Sequence, residues 1–267
     1  MKKLILNVLF LFCVAASVFA QDTYYVNDVM DGSEVWTSTT GNDGTGAVNN
    51  PLLPYLTLKA AVLVAVSGDI IRIDEGTYTD FWVDFSPTVG TTTLTLEGAG
   101  ATKTIFDPST NGANCHRRQF SSSTYSYDLT VNDITFTNYQ PEAPFALDCF
   151  PAHASPDPCG CTTTSGPSVF SVINGDALTL VDVIVSNSTD WNAPAAINVS
   201  PGSGTATLTV TRGGFFCNEN GAIAVSGGGT GSSSLTLTDV AFINNSGFSN
   251  DYGSAVKIGG AVSFADS

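Results

Sequence analysis

Positive charge is the scarcest property of this chain. Nine Lys and Arg stand against 24 Asp and Glu in 267 residues, and charged residues are 12% of the total, about half the usual share. A net charge of -15 and a pI near 4.1 exclude the basic face that a nucleic-acid binder needs. The shortage of Glu and Lys excludes a coiled coil or helical bundle. Few charges combined with 43% apolar residues exclude disorder, which needs the reverse. Beyond the first twenty residues no apolar run is long enough to span a bilayer. What is present is Gly (26 residues) and apolar residues, in a length that allows one sizeable domain with a real core.

Residues 1–20 read as a secretory signal peptide. Lys2 and Lys3 precede an apolar stretch from Leu4 to Ala16, and Val18 and Ala20 give the small-residue pattern for cleavage between Ala20 and Gln21. The mature chain loses two Lys and no acid. It keeps 7 basic against 24 acidic residues, a net charge of -17, which repels nucleic acid and anionic lipid heads. Residues 21–67 read as a strand (Thr23 to Val26), a loop rich in Asn, Asp and Gly (Asn27 to Pro54) and a helix N-capped by Thr57. That helix is apolar nearly all round, which predicts burial.

From residue 68 onward the pattern is β, and it repeats. Leu129 opens LTVNDITFTNY, Leu178 LTLVDVIVSNS, Leu208 LTVTRGGFFCN and Leu235 LTLTDVAFINN, at offsets of 49, 30 and 27 residues. Apolar residues fill the first and third places, then usually the sixth and eighth, so two strands of period two are separated by a slip of phase. A third strand precedes three of these copies or their continuation, at Ala196–Val199, Ala222–Val225 and Ser254–Ile258. Three short strands per repeat describe one turn of a parallel β-solenoid, whose turns bury their inner faces only by stacking. The expected fold is all-β, a right-handed single-stranded parallel β-helix over residues 68–267 with a short N-terminal capping helix. The last turn starts at Ser254 and no LT copy follows, so the chain is expected to continue into a longer polypeptide.

TYYVND followed by PLLPYLTLKAAVLVAVSGDIIRIDEGTYTD resembles the opening segment of right-handed parallel β-helix proteins of the pectate-lyase-like superfamily. GAIAV/FINN and SAVKI resemble the repeats of polymorphic outer-membrane proteins. The resemblance implies that the helix caps the open end of the solenoid. For function it implies lyases, hydrolases, esterases or adhesins, since the fold hosts all of these.

The polar places of the repeat suggest roles. The tenth place holds Asn138, Asn187, Cys217 and Asn244. Parity with the sixth and eighth places predicts that it points inward, so that Asn138, Asn187 and Asn244 form a hydrogen-bonded structural ladder and Cys217 is buried and free. Asn187-Ser188-Thr189 and Asn244-Asn245-Ser246 also fit the N-glycosylation pattern, but the repeat sets Asn there regardless of the third residue. The fifth place holds Asp133, Asp182, Arg212 and Asp239, expected as a surface ladder in which Arg212 lies between Asp182 and Asp239. Its competing reading is a catalytic Arg.

About twenty residues more than one turn requires fall between the first two copies, in a Cys- and Pro-rich insertion at about 139–167. Long irregular loops in compact folds often carry recognition. Export favours disulfides. With Cys217 set aside, Cys115, Cys149, Cys159 and Cys161 remain. Cys159 and Cys161 are too close to bridge each other, which leaves two pairings. A zinc site from these Cys with His116 and His153 matches no standard spacing.

Two functions are expected. The first is a secreted or bacterial cell-surface (outer-membrane) β-helix for adhesion or glycan binding, without catalysis and without a required cofactor. The second is a polysaccharide-active enzyme such as a Ca²⁺-dependent polyuronate lyase. The resemblance implies an Arg or Lys base for the second, for which Arg117, Arg118 and Arg212 are candidates, and carboxylates for Ca²⁺, for which Asp28, Asp31 and Asp43 are candidates. No N-T-D, D-D, G-H-G or R-x-K pattern of the family's hydrolases occurs.

Overall fold

The computed structural model describes residues 21–79, 82–85, 92–108, 119–121, 126–139, 168–188, 195–218, 221–227, 230–245, 255–259 and 262–264. Strands are the main regular structure of the described residues, and they form three sheets, all parallel. Sheet A holds β1 (Thr23–Val26), β2 (Ile70–Ile73), β5 (Thr92–Gly98), β8 (Tyr127–Asn132), β11 (Ala177–Val181), β14 (Thr205–Thr211), β17 (Ser232–Thr238) and β20 (Val262–Phe264). Sheet B holds β3 (Gly76–Tyr78), β6 (Thr104–Phe106), β9 (Thr135–Thr137), β12 (Ile184–Ser186), β15 (Gly214–Phe216) and β18 (Ala241–Ile243). Sheet C holds β4 (Trp82–Asp84), β7 (Gln119–Ser121), β10 (Phe170–Ile173), β13 (Ile197–Ser200), β16 (Ile223–Ser226) and β19 (Val256–Gly259). From β2 onward the chain visits A, B and C in that order and returns to A. Each strand therefore pairs with its equivalent one circuit away.

The register stacks the repeat on itself. Leu94, Leu129, Leu178, Leu208 and Leu235 are direct partners in sheet A, and all are buried. In sheet B the eighth place stacks Tyr78, Phe106, Phe136, Val185, Phe215 and Phe242. Tyr78, Phe106 and Phe136 lie 5.2 and 5.4 Å apart with near-parallel rings, and Phe215 stacks on Phe242 at 5.3 Å. These columns form the core between the sheets. No single circuit could bury them alone.

The slip of phase has a one-residue cause. Asp133, Asp182, Arg212 and Asp239 at the fifth place have φ of 51–58°, as do Asn138, Asn187, Cys217 and Asn244 at the tenth, between 51° and 56°. Each repeat thus turns from A to B, and again from B to C, on one left-handed residue. Asn and Asp tolerate that conformation best among residues with a Cβ.

This corrects the inward ladder. A left-handed residue breaks the alternation of side chains, so parity does not carry across it. Asn187, Asn244 and Cys217 are exposed and Asn138 is half-buried. Asn138 donates to Asp107 Oδ2 at 2.8 Å and Asn187 to Thr137 Oγ1 at 3.4 Å. Cys217 is free, as expected, but exposed rather than buried. The interior ladder lies one residue later, at Ser188, Asn218 and Asn245, all buried. Asn218 Nδ2 donates to Val185 O at 3.0 Å, and Asn218 Oδ1 accepts the Ser188 N–H at 3.0 Å. One circuit on, Asn245 Nδ2 donates to Phe215 O at 2.9 Å and Asn245 Oδ1 accepts the Asn218 N–H at 3.2 Å. The two amides join each other at 2.9 Å. The ladder satisfies backbone groups where strand pairing lapses.

Helix α1 (Leu58–Val64) begins where Thr57 Oγ1 accepts the Ala60 N–H at 3.2 Å. It packs against β1, β2 and β4, the outermost strand of sheet C. Only one side is buried, through Leu58 and Ala61, while Leu63 is 75% exposed. The expectation of burial all round is corrected: a helix lying on the end of a stack has one neighbour and one face in solvent. No described helix is long and apolar enough to cross a membrane.

Candidate functional site

The outer surface of sheet A and its bend into sheet B gather the polar chemistry. In the register of sheet A, Tyr25, Arg72, Glu97 and Asn132 are successive partners, one per circuit. All four occupy the outward fourth place and are half-buried. Arg72 Nε donates to Glu97 Oε2 at 2.8 Å, with side chains 35% and 34% exposed. The bond to Glu97, and then its charge and a bond to Tyr25, hold the guanidinium protonated against partial burial. The Arg72 guanidinium also lies 5.6 Å from the Trp36 ring centroid, within cation–π range.

Trp36 comes from the loop between β1 and α1, and a buried carboxylate fixes it there. Asp74 is wholly buried and accepts the backbone N–H groups of Val35 at 2.5 Å, Trp36 at 3.1 Å and Thr37 at 2.8 Å. Such a nest of donors repays a carboxylate for leaving water. The same loop is pinned where Asn27 N donates to Tyr55 O and Gly41 N to Asn27 O, both at 2.9 Å.

Beside this row runs the left-handed fifth place. Arg212 grips Asp182 with two bonds, Nε to Oδ1 at 2.9 Å and Nη2 to Oδ2 at 2.6 Å. That fork lowers the Asp182 pKa and raises that of Arg212. Arg212 therefore binds one acid, and Asp239 acts on it only through charge at longer range. Asp133 is raised above the usual carboxylate range, first by burial and then by the charges of Asp182 and Glu97. Arg212 is the one long side chain at this left-handed place, a conformation that costs roughly 1–2 kcal/mol in L-residues.

On the other flank, Thr95, Thr130, Thr179, Thr209 and Thr236 are successive partners at the outward second place. They form one half-buried column of hydroxyls and methyls across five circuits.

The remaining sequence candidates are placed as follows. Asp28 accepts the N–H groups of Val29 and Thr77 at 2.7 and 3.2 Å, and burial raises its pKa. Asp31 accepts the Ser33 hydroxyl and N–H, which lower its pKa. Asp43 accepts the Leu56 and Thr57 N–H groups at 2.8 and 2.9 Å and the Thr57 hydroxyl at 2.9 Å. Each carboxylate thus closes its own loop or cap. Among the described residues no three His, Cys, Asp or Glu side chains come together as a metal group. Arg117, Arg118, Cys115, Cys149, Cys159, Cys161, Ala20 and residues 140–167 of the insertion lie outside the described residues. Gln21 is described, and its side chain donates to Gly68 O at 2.8 Å.

Tyr25, Trp36, Arg72 and Glu97 were not singled out as a site from the sequence. The signal for two of them was available. DIIRIDEGTY and TTLTLEGAG are two earlier copies of the repeat, and aligning them puts Arg72 and Glu97 at the same fourth place. Nothing local to the sequence brings Trp36 there, because Asp74 draws it in across 38 residues. Comparison with family models, characterised proteins and solved structures gave no match for this chain.

Proposed function

We propose that this chain is an exported right-handed single-stranded parallel β-helix of the pectate-lyase-like kind. In this reading it works without catalysis, as a secreted or cell-surface protein for adhesion or glycan binding. The three-sheet circuit supports the fold, since parallel crossovers are right-handed in about 98% of cases. The lysine pair and apolar run of residues 1–20 support export.

One observation carries the non-catalytic reading. Both Arg side chains on the candidate surface, Arg72 and Arg212, are held by carboxylates, Glu97 and Asp182. Proton abstraction beside a uronate needs a basic group poised on substrate, not one held cationic by an acid. The same surface has the features of a binding face: a long regular row of hydroxyl, amide and ion-paired groups with aromatic side chains at one end.

The test sets the mature protein against two assays. Incubation with polygalacturonate and alginate, with and without Ca²⁺, should release no unsaturated ends, while electrophoresis through gels containing polysaccharides should show retardation. Unsaturated product dependent on Arg117, Arg118 or Arg212 would establish the lyase alternative instead.

A further inference from the structure

We infer that Tyr25, Trp36, Arg72 and Glu97, with Thr95 and Thr130 on the adjacent row, form a subsite for a neutral polysaccharide. This inference rests on the glycan-binding reading and names where and what the surface binds.

Four observations converge on these residues. First, the register of sheet A sets Tyr25, Arg72 and Glu97 side by side on the outer face, and Thr95 and Thr130 side by side two residues away on the same face. The rows lie roughly 6.6 Å apart at a rise of about 3.3 Å per residue, and strands are about 4.8 Å apart. A sugar ring therefore covers groups from both rows. Second, the cluster offers flat surface. Trp36 is half-buried over the Arg72 guanidinium, and an indole supplies rigid, apolar contact with a polar edge. Third, the Thr95 and Thr130 hydroxyls have no side-chain hydrogen bond to another described residue. They are left to bond water or ligand, each as donor and acceptor.

The fourth observation sets the ligand class. Arg72 is bound by Glu97 at 2.8 Å, so the cluster is a compensated pair with no net charge. An acidic polymer would find no uncommitted cation among the described residues of this cluster and would approach a mature chain with 7 basic against 24 acidic residues. A neutral chain pays no such penalty. Its hydroxyls can accept from the guanidinium and donate to the carboxylate in the same geometry. The Asp74 nest keeps the Trp36 backbone in place before any ligand arrives, which lowers the ordering cost of binding.

The experiment is affinity electrophoresis of the full chain in gels holding xylan or glucomannan (neutral) or polygalacturonate or alginate (anionic). Wild type should be retarded by a neutral polymer and not by the anionic ones. Trp36→Ala and Thr130→Lys should each weaken that retardation at least tenfold, while Trp36→Phe retains most of it. Thr236→Lys, at the far end of the same Thr column, should leave it unchanged. Thermal melts identify any variant that has failed to fold, and Trp36→Phe and Thr130→Lys probe the site without removing a ring from the loop. Retardation that survives both Trp36→Ala and Thr130→Lys overturns the subsite but leaves glycan binding standing. A preference for the anionic polymers overturns the ligand class. Retardation by no polysaccharide overturns the glycan-binding reading itself.

Discussion

Replacing Asn218 by Ala should be among the most damaging single changes in this protein, although its neighbour Cys217 occupies the more regular position in the repeat. Asn218 is fully buried. Its amide donates to Val185 O and to Asn245 Oδ1 at 3.0 and 2.9 Å, and accepts from the Ser188 N–H at 3.0 Å. Three bonds at a net ~1 kcal/mol each give about 3 kcal/mol. The buried Val185 carbonyl and Ser188 N–H also lose this partner, which raises the expected cost to about 3–5 kcal/mol. Cys217→Ala removes an exposed thiol with no hydrogen bond of this kind and should change stability by less than about 0.5 kcal/mol. Urea unfolding followed by far-ultraviolet circular dichroism would compare the two. Amide hydrogen exchange at Ser188 would report the broken bond directly. Equal midpoints for the two variants would refute the claim that the inward ladder at the eleventh place, and not the tenth-place Asn residues, ties successive circuits together.

Other outcomes follow from the same geometry. Cys217→Asn should stabilise the chain by up to about 1 kcal/mol, because Asn accepts the left-handed conformation that Cys217 holds at φ 54°; an unchanged or lower urea midpoint would count against strain there. Asp176 is buried, and burial raises its pKa to about 6 despite N–H bonds from Ile173 and Tyr127. The native state then holds a proton that the unfolded chain releases near pH 4, so between about pH 4 and 6 stability rises as pH falls, by up to roughly 3 kcal/mol; Asp176→Ala should flatten that slope in melts taken across the range. Arg212→Asn loses an exposed ion pair that solvent screening keeps weak and relieves a left-handed residue with a long side chain. Its midpoint should stay close to wild type while the Asp182 carboxyl, followed by NMR, titrates higher. Gly41→Ala would drive a Cβ into the backbone carbonyls of Tyr55 and Asn27, at a cost of about 1–3 kcal/mol, seen as a lower melting temperature and a change in Trp36 fluorescence.

The repeat was legible because stacking forces it to be. A residue in a circuit that pairs in register with its equivalent on both sides must suit the same environment each time, so Leu129, Leu178, Leu208 and Leu235 declare a shared buried place without any structure. The same logic made Asn138, Asn187 and Asn244 conspicuous, but parity gave them the wrong direction, inward instead of outward. Recurrence says that a place has a requirement, not which one. Here it is backbone conformation, and an Asn selected for φ near 54° looks in sequence like an Asn selected for its hydrogen bonds. The eleventh place, where hydrogen bonding is the requirement, varies as Tyr139, Ser188, Asn218 and Asn245 and so gave no signal. The candidate site was hidden for a related reason. Arg72 and Glu97 meet only if the opening segment is counted as two more circuits, and its copies carry Ile71 and Glu97 where the later ones carry Leu or Val and Asn, Val or Thr. Trp36 belongs to no circuit at all. It reaches Arg72 because Asp74, the residue just after β2, collects the N–H groups of a distant loop. A buried carboxylate with several backbone donors is a long-range instruction that no periodicity can reveal, and in this chain it delivers the Trp36 indole to the Arg72 guanidinium.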